Sequence, residues 1–96
     1  MNDIIYTAIK NRHVLSLNYD GYDRLVEPHT YGISKAGHDV LRCYQTAGGH
    51  AKPGHTWDLL LTSKIRALLD TQKQFVGPRP EYRRGDRGMT RIYCEL

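Results

Sequence analysis

With 96 residues, 40% of them hydrophobic and 25% charged, the chain suffices for one packed domain and leaves no room for a second core. That composition excludes a wholly disordered segment, and the absence of any apolar run near the roughly 20 residues that cross a bilayer excludes a helical membrane span. A net charge of +4 favours polyanionic partners but falls short of a protein dedicated to coating DNA.

Asn2 or Asp3 can cap a first helix, in which Ile5, Ala8 and Ile9 recur at the spacing of a buried stripe and which ends near Asn11. Residues 14–19 then alternate, with Leu15, Leu17 and Tyr19 on one face and Val14, Ser16 and Asn18 on the other, as in a half-buried strand. Asp20-Gly21 is a turn signal. A second strand is expected from about Arg24 to Ile33, and Pro28, which has no backbone donor, places that stretch at an edge or a bulge. Ser34-Lys35-Ala36-Gly37 turns the chain into a strand over 38–45, and a glycine-rich loop follows from Thr46 to His55. Residues 56–61 read as a core strand, with Trp57, Leu59 and Leu61 on one face and Asp58 and Leu60 on the other. Over residues 64–70, Ile65, Leu68 and Leu69 fit helical spacing, although seven residues do not separate a helix from a strand. Gly77-Pro78-Arg79-Pro80 must be extended, since a residue before proline is pushed out of the helical region. Beyond it, Asp86 as cap and Met89, Ile92, Tyr93 and Leu96 as one face predict a C-terminal helix.

Several polar residues sit where a purely structural strand needs none. The period of two puts Arg42 and Tyr44 on one face of their strand and Cys43 and Gln45 on the other. A guanidinium beside a phenol suits a phosphate with an attached base, because the first offers a fork of donors and the second a stacking face. The competing reading pairs Arg42 with a carboxylate at the surface, Glu27 being one candidate across the strands. Glu27, His29 and Tyr31 share a face, with Arg24 opposite; His29 either contacts a ligand or is a hydrogen-bonded strand histidine. Near the C-terminus, Arg79, Arg83, Arg84 and Arg87 surround Tyr82, a pattern that can track single-stranded nucleic acid or simply form a solvated segment wrapping the domain.

Other chemistries find little support. None of the five histidines pairs two apart on a strand or four apart on a helix, so no metal site is expected; the one gap of note is His50 to His55 in the glycine loop. That loop has no phosphate-cradle pattern, and Ser16, Ser34 and Ser63 lack a nucleophile-elbow context. Cys43 and Cys94 have no paired spacing and read as two reduced thiols. The N-terminus lacks the order of a signal peptide, so a cytoplasmic protein is expected.

Taken in order, Val14-Leu15-Ser16-Leu17-Asn18-Tyr19, Arg24-Leu25-Val26-Glu27-Pro28-His29, Gly37, Val40-Leu41-Arg42-Cys43-Tyr44-Gln45 and Trp57-Asp58-Leu59 running into Ile65 resemble the WYL domain over roughly residues 3–75. The resemblance implies an α+β domain: a five-stranded Sm-like or SH3-like barrel with an N-terminal helix and a last strand over 64–70. At the family's Trp-Tyr-Leu this chain reads Asp39-Val40-Leu41. Family members usually carry a helix-turn-helix ahead of the barrel, whereas this chain starts at the barrel's helix, which implies a free-standing module. Carried over to this sequence, the family's basic pocket falls on Arg42, Tyr44, Arg24 and Lys64; His29, Gln45 and Trp57 are added from the strand pattern. WYL barrels are held to sense nucleic acid or nucleotide-like ligands in transcriptional regulation and antiviral (phage) defence.

The expected protein is thus one WYL-like domain over 1–96, its basic segment and C-terminal helix spanning 77–96. Its expected role is noncatalytic binding of an anionic nucleotide or a short single-stranded nucleic acid, without cofactor. The alternatives are a protein-interaction module that assembles homo-oligomers through its sheet edges, and a small phosphoesterase using His29 or His50.

Overall fold

A computed structural model describes residues 1–96. Asn2 caps helix α1 (Asp3–Asn11), its Oδ1 accepting the Ile5 N–H at 3.0 Å. The stripe of Ile5, Ala8 and Ile9 is fully buried, each isoleucine contributing about 2 kcal/mol of hydrophobic stabilisation. Six strands follow: β1 (His13–Tyr19), β2 (Tyr22–Ser34), β3 (Asp39–Gly48), β4 (Trp57–Leu61), β5 (Arg66–Gln74) and β6 (Met89–Glu95). A 3₁₀ turn, Thr62–Lys64, joins β4 to β5. All pairings are antiparallel, in the order β4-β3-β2-β1-β5, with β6 added to β2. Strands β4 and β5 do not pair with each other, so the sheet is open. No helix is long and apolar enough to cross a membrane.

The β1–β2 hairpin turns on Asp20 (φ 53°) and Gly21 (φ 81°). Two successive positive φ values match the twist of a two-residue hairpin, which is why this pair suits the position. Strand β2 is the spine of the sheet. Its first half, Tyr22–Val26, pairs with β1, its second half, Thr30–Ser34, pairs with β6, and nearly its whole length pairs with β3. Pro28 lies in the gap between the β1 and β6 pairings, beside a register shift against β3. The expected bulge is there; β2 is central along most of its length, but at Pro28 it pairs only with β3, opposite Cys43, and on the open side a missing N–H costs no ladder bond.

One core joins the helix stripe to Leu15, Leu17, Tyr19, Val26, Tyr31, Leu41, Cys43, Leu60 and Cys94. Tyr31 also pins the helix start, its hydroxyl accepting the Asn2 N–H at 2.7 Å and donating to Asp39 at 3.2 Å. Burial and the nearby Asp39 carboxylate push this phenol up to about 12.

The structure corrects the sequence reading at three points. There are six strands rather than five, because residues expected as a C-terminal helix form β6. Thr90, Ile92 and Tyr93 are β-branched or aromatic, and the second half of β2 offers an unpaired edge, which together outweigh a helical spacing drawn from a few apolar residues. Strand β3 extends to Gly48, shortening the loop. The segment at 57–61 is an edge strand whose buried residue is Leu60, while Leu59 on the expected core face is 37% exposed. The last strand expected over 64–70 does form, as β5, beginning at Arg66 after the 3₁₀ turn.

Candidate functional site

Register decides which side chains meet. Pairing of Tyr44 with Trp57, Arg42 with Leu59, Glu27 with Tyr44 and Thr30 with Arg42 puts these side chains on the sheet face opposite the helix. Residues 75–88, which contain no helix or strand, cross that face as a strap. Gly77–Arg79 form no turn or helix, but the strap is not extended throughout: it turns at Pro80-Glu81, where the Tyr82 N–H bonds the Arg79 carbonyl at 3.2 Å, and its polar groups bind the sheet directly.

Arg79 is the first fastening. Its Nε and Nη2 donate to the two oxygens of buried Glu27 at 2.7 and 3.0 Å, and its guanidinium lies 4.7 Å from the Tyr44 ring centre. That hydrogen-bonded carboxylate pushes the Arg79 pKa further up. Glu27 therefore pairs with the strap and not with Arg42. Arg42 is the second fastening: its Nε and Nη2 donate to Asp86 at 2.8 and 3.2 Å, and the guanidinium holds the Asp86 carboxyl below its ordinary range. The surface-pair reading of Arg42 is the one realised, with Asp86 as the partner. Trp57 Nε1 donates to the Pro80 carbonyl at 3.2 Å, and the Tyr82 hydroxyl donates to the Leu96 carbonyl at 3.2 Å.

His29 sits beneath the strap at 0% exposure. Its Nδ1 donates to the Glu27 carbonyl at 2.8 Å, and its Nε2 accepts the Arg79 backbone N–H at 3.1 Å. This pair of partners fixes the neutral tautomer, since only an unprotonated Nε2 can accept. Burial is the main cause that lowers the His29 pKa from its ordinary value. The rings of Trp57, Tyr82 and Phe75 surround the imidazole at 4.7, 5.1 and 5.8 Å. Both ring nitrogens of His29 are thus used within the fold, and its role is to pin the strap.

What the strap leaves open is a cleft of about 640 Å³ between its 81–87 stretch and the sheet. Arg42, Trp57, Tyr82, Arg83, Arg84, Asp86 and Arg87 line it. The Trp57 and Tyr82 rings are nearly parallel, at 18°, with centres 6.5 Å apart. Arg84 pairs with Glu95 at 3.0 Å, whereas Arg83 and Arg87 are exposed and form no ion pair. The cleft therefore carries two free guanidinium groups beside two aromatic faces.

The other site residues expected from sequence lie elsewhere. Arg24 and Gln45 are buried at one end of the core face, where Arg24 donates to the Tyr19 carbonyl at 3.1 Å and approaches Gln45 Oε1 at 3.5 Å. Arg24 Nη1 also lies 3.7 Å from Asp58. Lys64 is exposed in the 3₁₀ turn and lines neither this end nor the cleft. Tyr44 lies under Arg79, away from the cleft lining. The structure thus brings Arg42 and Trp57 together with Tyr82, Arg83, Arg84 and Arg87, and separates them from Arg24, Gln45 and Lys64. Sequence reasoning missed Asp86 as the partner of Arg42 and Asp58 as the partner of Arg24; the pairs span 44 and 34 residues, and nothing local in the sequence signals them.

Comparison with protein-family models, with curated proteins and with solved structures finds no match to this chain.

Proposed function

We propose that the chain is a noncatalytic binding module for an anionic nucleotide or a short single-stranded nucleic acid, held in the cleft between the strap and β3–β4. The observation that carries this reading is that two unpaired arginines, Arg83 and Arg87, line the same cleft as the Trp57 and Tyr82 rings. Guanidinium groups engage phosphate through parallel donors, and aromatic faces stack any base. Arg42 acts behind them, holding Asp86 and so the arginine-bearing stretch in place. The reading extends the WYL resemblance: it takes the sheet and its N-terminal helix as a divergent Sm-like barrel acting in the cytoplasm, its ligand site moved from the strand pocket to the strap.

Self-assembly through sheet edges is the second reading, favoured by one feature. Two of the edge strands, β4 and β5, expose Leu59 and Leu69, the latter at 61%. Light scattering separates the two, since edge pairing requires a stable higher mass without ligand.

Trp57 is the only tryptophan in the chain, so its fluorescence reports on the cleft. Titration with a short oligothymidylate should give a saturable change in emission. Replacing both arginines, Arg83→Ala with Arg87→Ala, should weaken binding about tenfold or more without changing the circular dichroism spectrum. An unaltered dissociation constant in that variant would remove the proposed site.

A further inference from the structure

On the opposite side of β4 from the cleft, the glycine loop folds back so that His50 and His55 meet Asp58, which follows Trp57 in the strand. One donor atom from each of the three lies within 4.8 Å of the other two. His55 Nε2 is 2.7 Å from Asp58 Oδ1, and His50 Nδ1 is 3.8 Å from Asp58 Oδ2. The two imidazole rings meet edge to face with centres 4.7 Å apart. We propose that His50, His55 and Asp58 form a binding site for a divalent transition ion of the zinc class.

Three observations point the same way. Two imidazole nitrogens with one carboxylate oxygen make the mixed donor set that zinc accepts, at bond lengths of about 2.0–2.2 Å. Donors on one tetrahedral ion then stand roughly 3.4 Å apart, a separation bracketed by the distances 2.7 and 4.8 Å found here. Second, His50 Nδ1 and Asp58 Oδ2 are shielded from solvent yet have no hydrogen-bond partner within the fold. Polar atoms so placed are costly unless something satisfies them, and a cation between the ring and the carboxylate does so. Third, Arg24 stands behind Asp58, its Nη1 3.7 Å from Oδ2. That ion pair holds the Asp58 carboxylate in place beside the two imidazoles, the kind of outer contact that supports a ligating carboxylate.

The backbone permits the arrangement because Gly48 (φ 104°) and Gly54 (φ 103°) adopt left-handed conformations, which let the loop reverse before each histidine. Three protein donors leave a fourth coordination position for water or an anionic group. The ion would tie the glycine loop to β4. This site shares no residue with the arginine cleft.

The test is uptake of zinc by the chelator-stripped full chain, followed by isothermal titration, with cobalt absorption as an independent reading of coordination. One equivalent should bind, cobalt should give the visible bands of a low-coordinate nitrogen and oxygen site, and the melting temperature should rise with added zinc. His50→Ala and His55→Ala lie in a loop outside the core; each should weaken binding about tenfold or more and abolish the thermal shift. Arg83→Ala should leave zinc binding unchanged, which keeps this site distinct from the cleft. Absence of saturable uptake by the stripped protein, or equal affinity in both histidine variants, overturns the proposal.

Discussion

At the scale of single residues, the structure turns on side chains whose polar groups are spent inside the molecule. His29 is the clearest. Its tautomer is set by a carbonyl on one side and a backbone N–H on the other, and protonation of Nε2 would set two donors against each other. The folded pKa is depressed, so the unfolded chain takes up its proton near the ordinary value of 6.5 while the folded chain remains neutral. Between those two pKa values the unfolded state binds more protons. Stability is therefore fully present above about pH 6.5 and is lost as pH falls through that window. Urea unfolding at pH 7.5 and 5.5 should show this loss, and the loss should shrink in His29→Gln; an identical pH dependence in the variant would show that other groups carry it. His29→Ala should also cost about 2–4 kcal/mol at pH 7.5, as it empties a ring-lined site and strands the Arg79 N–H.

Arg42 illustrates how a residue chosen for ligand contact acquires a different first duty. Its fork is occupied by Asp86, and the first cause of the depressed Asp86 pKa is that hydrogen bond. Arg42→Gln should bring the Asp86 pKa up toward its ordinary 3.8 in an NMR titration. The pair's contribution is present above that value and disappears as pH falls through the folded pKa. If Asp86 titrated unchanged in the variant, the fastening of the strap would lie elsewhere.

At the scale of elements, local chemistry made some pieces legible and left others hidden. Asn2 as cap, the Ile5-Ala8-Ile9 stripe, Asp20-Gly21 and the alternation of Leu15, Leu17 and Tyr19 each act within a few residues, and each element forms as the sequence reading has it. Strand β6 depends on an edge of β2 far away in sequence, so the β-branched and aromatic residues of its seven-residue stretch did not by themselves decide against a helical spacing. The reversed face of β4 has the same origin: Trp57 faces Tyr44 because register, not hydrophobicity, assigns it. Packing of β6 has its own test at Gly32, where an added Cβ would run into the Arg91 carbonyl oxygen and the Ile92 Cα. Gly32→Ala should therefore destabilise by more than about 1 kcal/mol and speed amide exchange along Met89–Glu95. Protection of β6 equal to that of the parent chain would mean that it does not pack so closely on β2.

At the scale of the whole molecule, a small core is closed on one side by a helix and on the other by an irregular strap. Both thiols lie inside: burial pushes Cys43 up, and pushes Cys94 up to about 11. A thiol reagent at pH 8 should thus modify neither cysteine faster than the protein opens; rapid modification of the native chain would show that the core is not closed as described. The arginine cluster was legible in the sequence as a charge pattern, and Trp57 as a strand residue, but their meeting was not. It requires the strap to cross three strands, a path set by the long-range fastenings at Glu27, His29 and Arg42.

The cleft is the part of the molecule on which the functional proposal rests, and salt dependence separates phosphate binding from general attraction to a basic protein. Fluorescence anisotropy of a labelled oligothymidylate should show log affinity falling linearly with log salt concentration for the parent chain. For the double variant, Arg83→Ala with Arg87→Ala, the slope should be shallower by roughly 1.4, corresponding to about 0.7 for each single-strand phosphate that an arginine no longer neutralises. Equal slope and equal affinity in the two proteins would contradict a nucleic-acid site in the cleft.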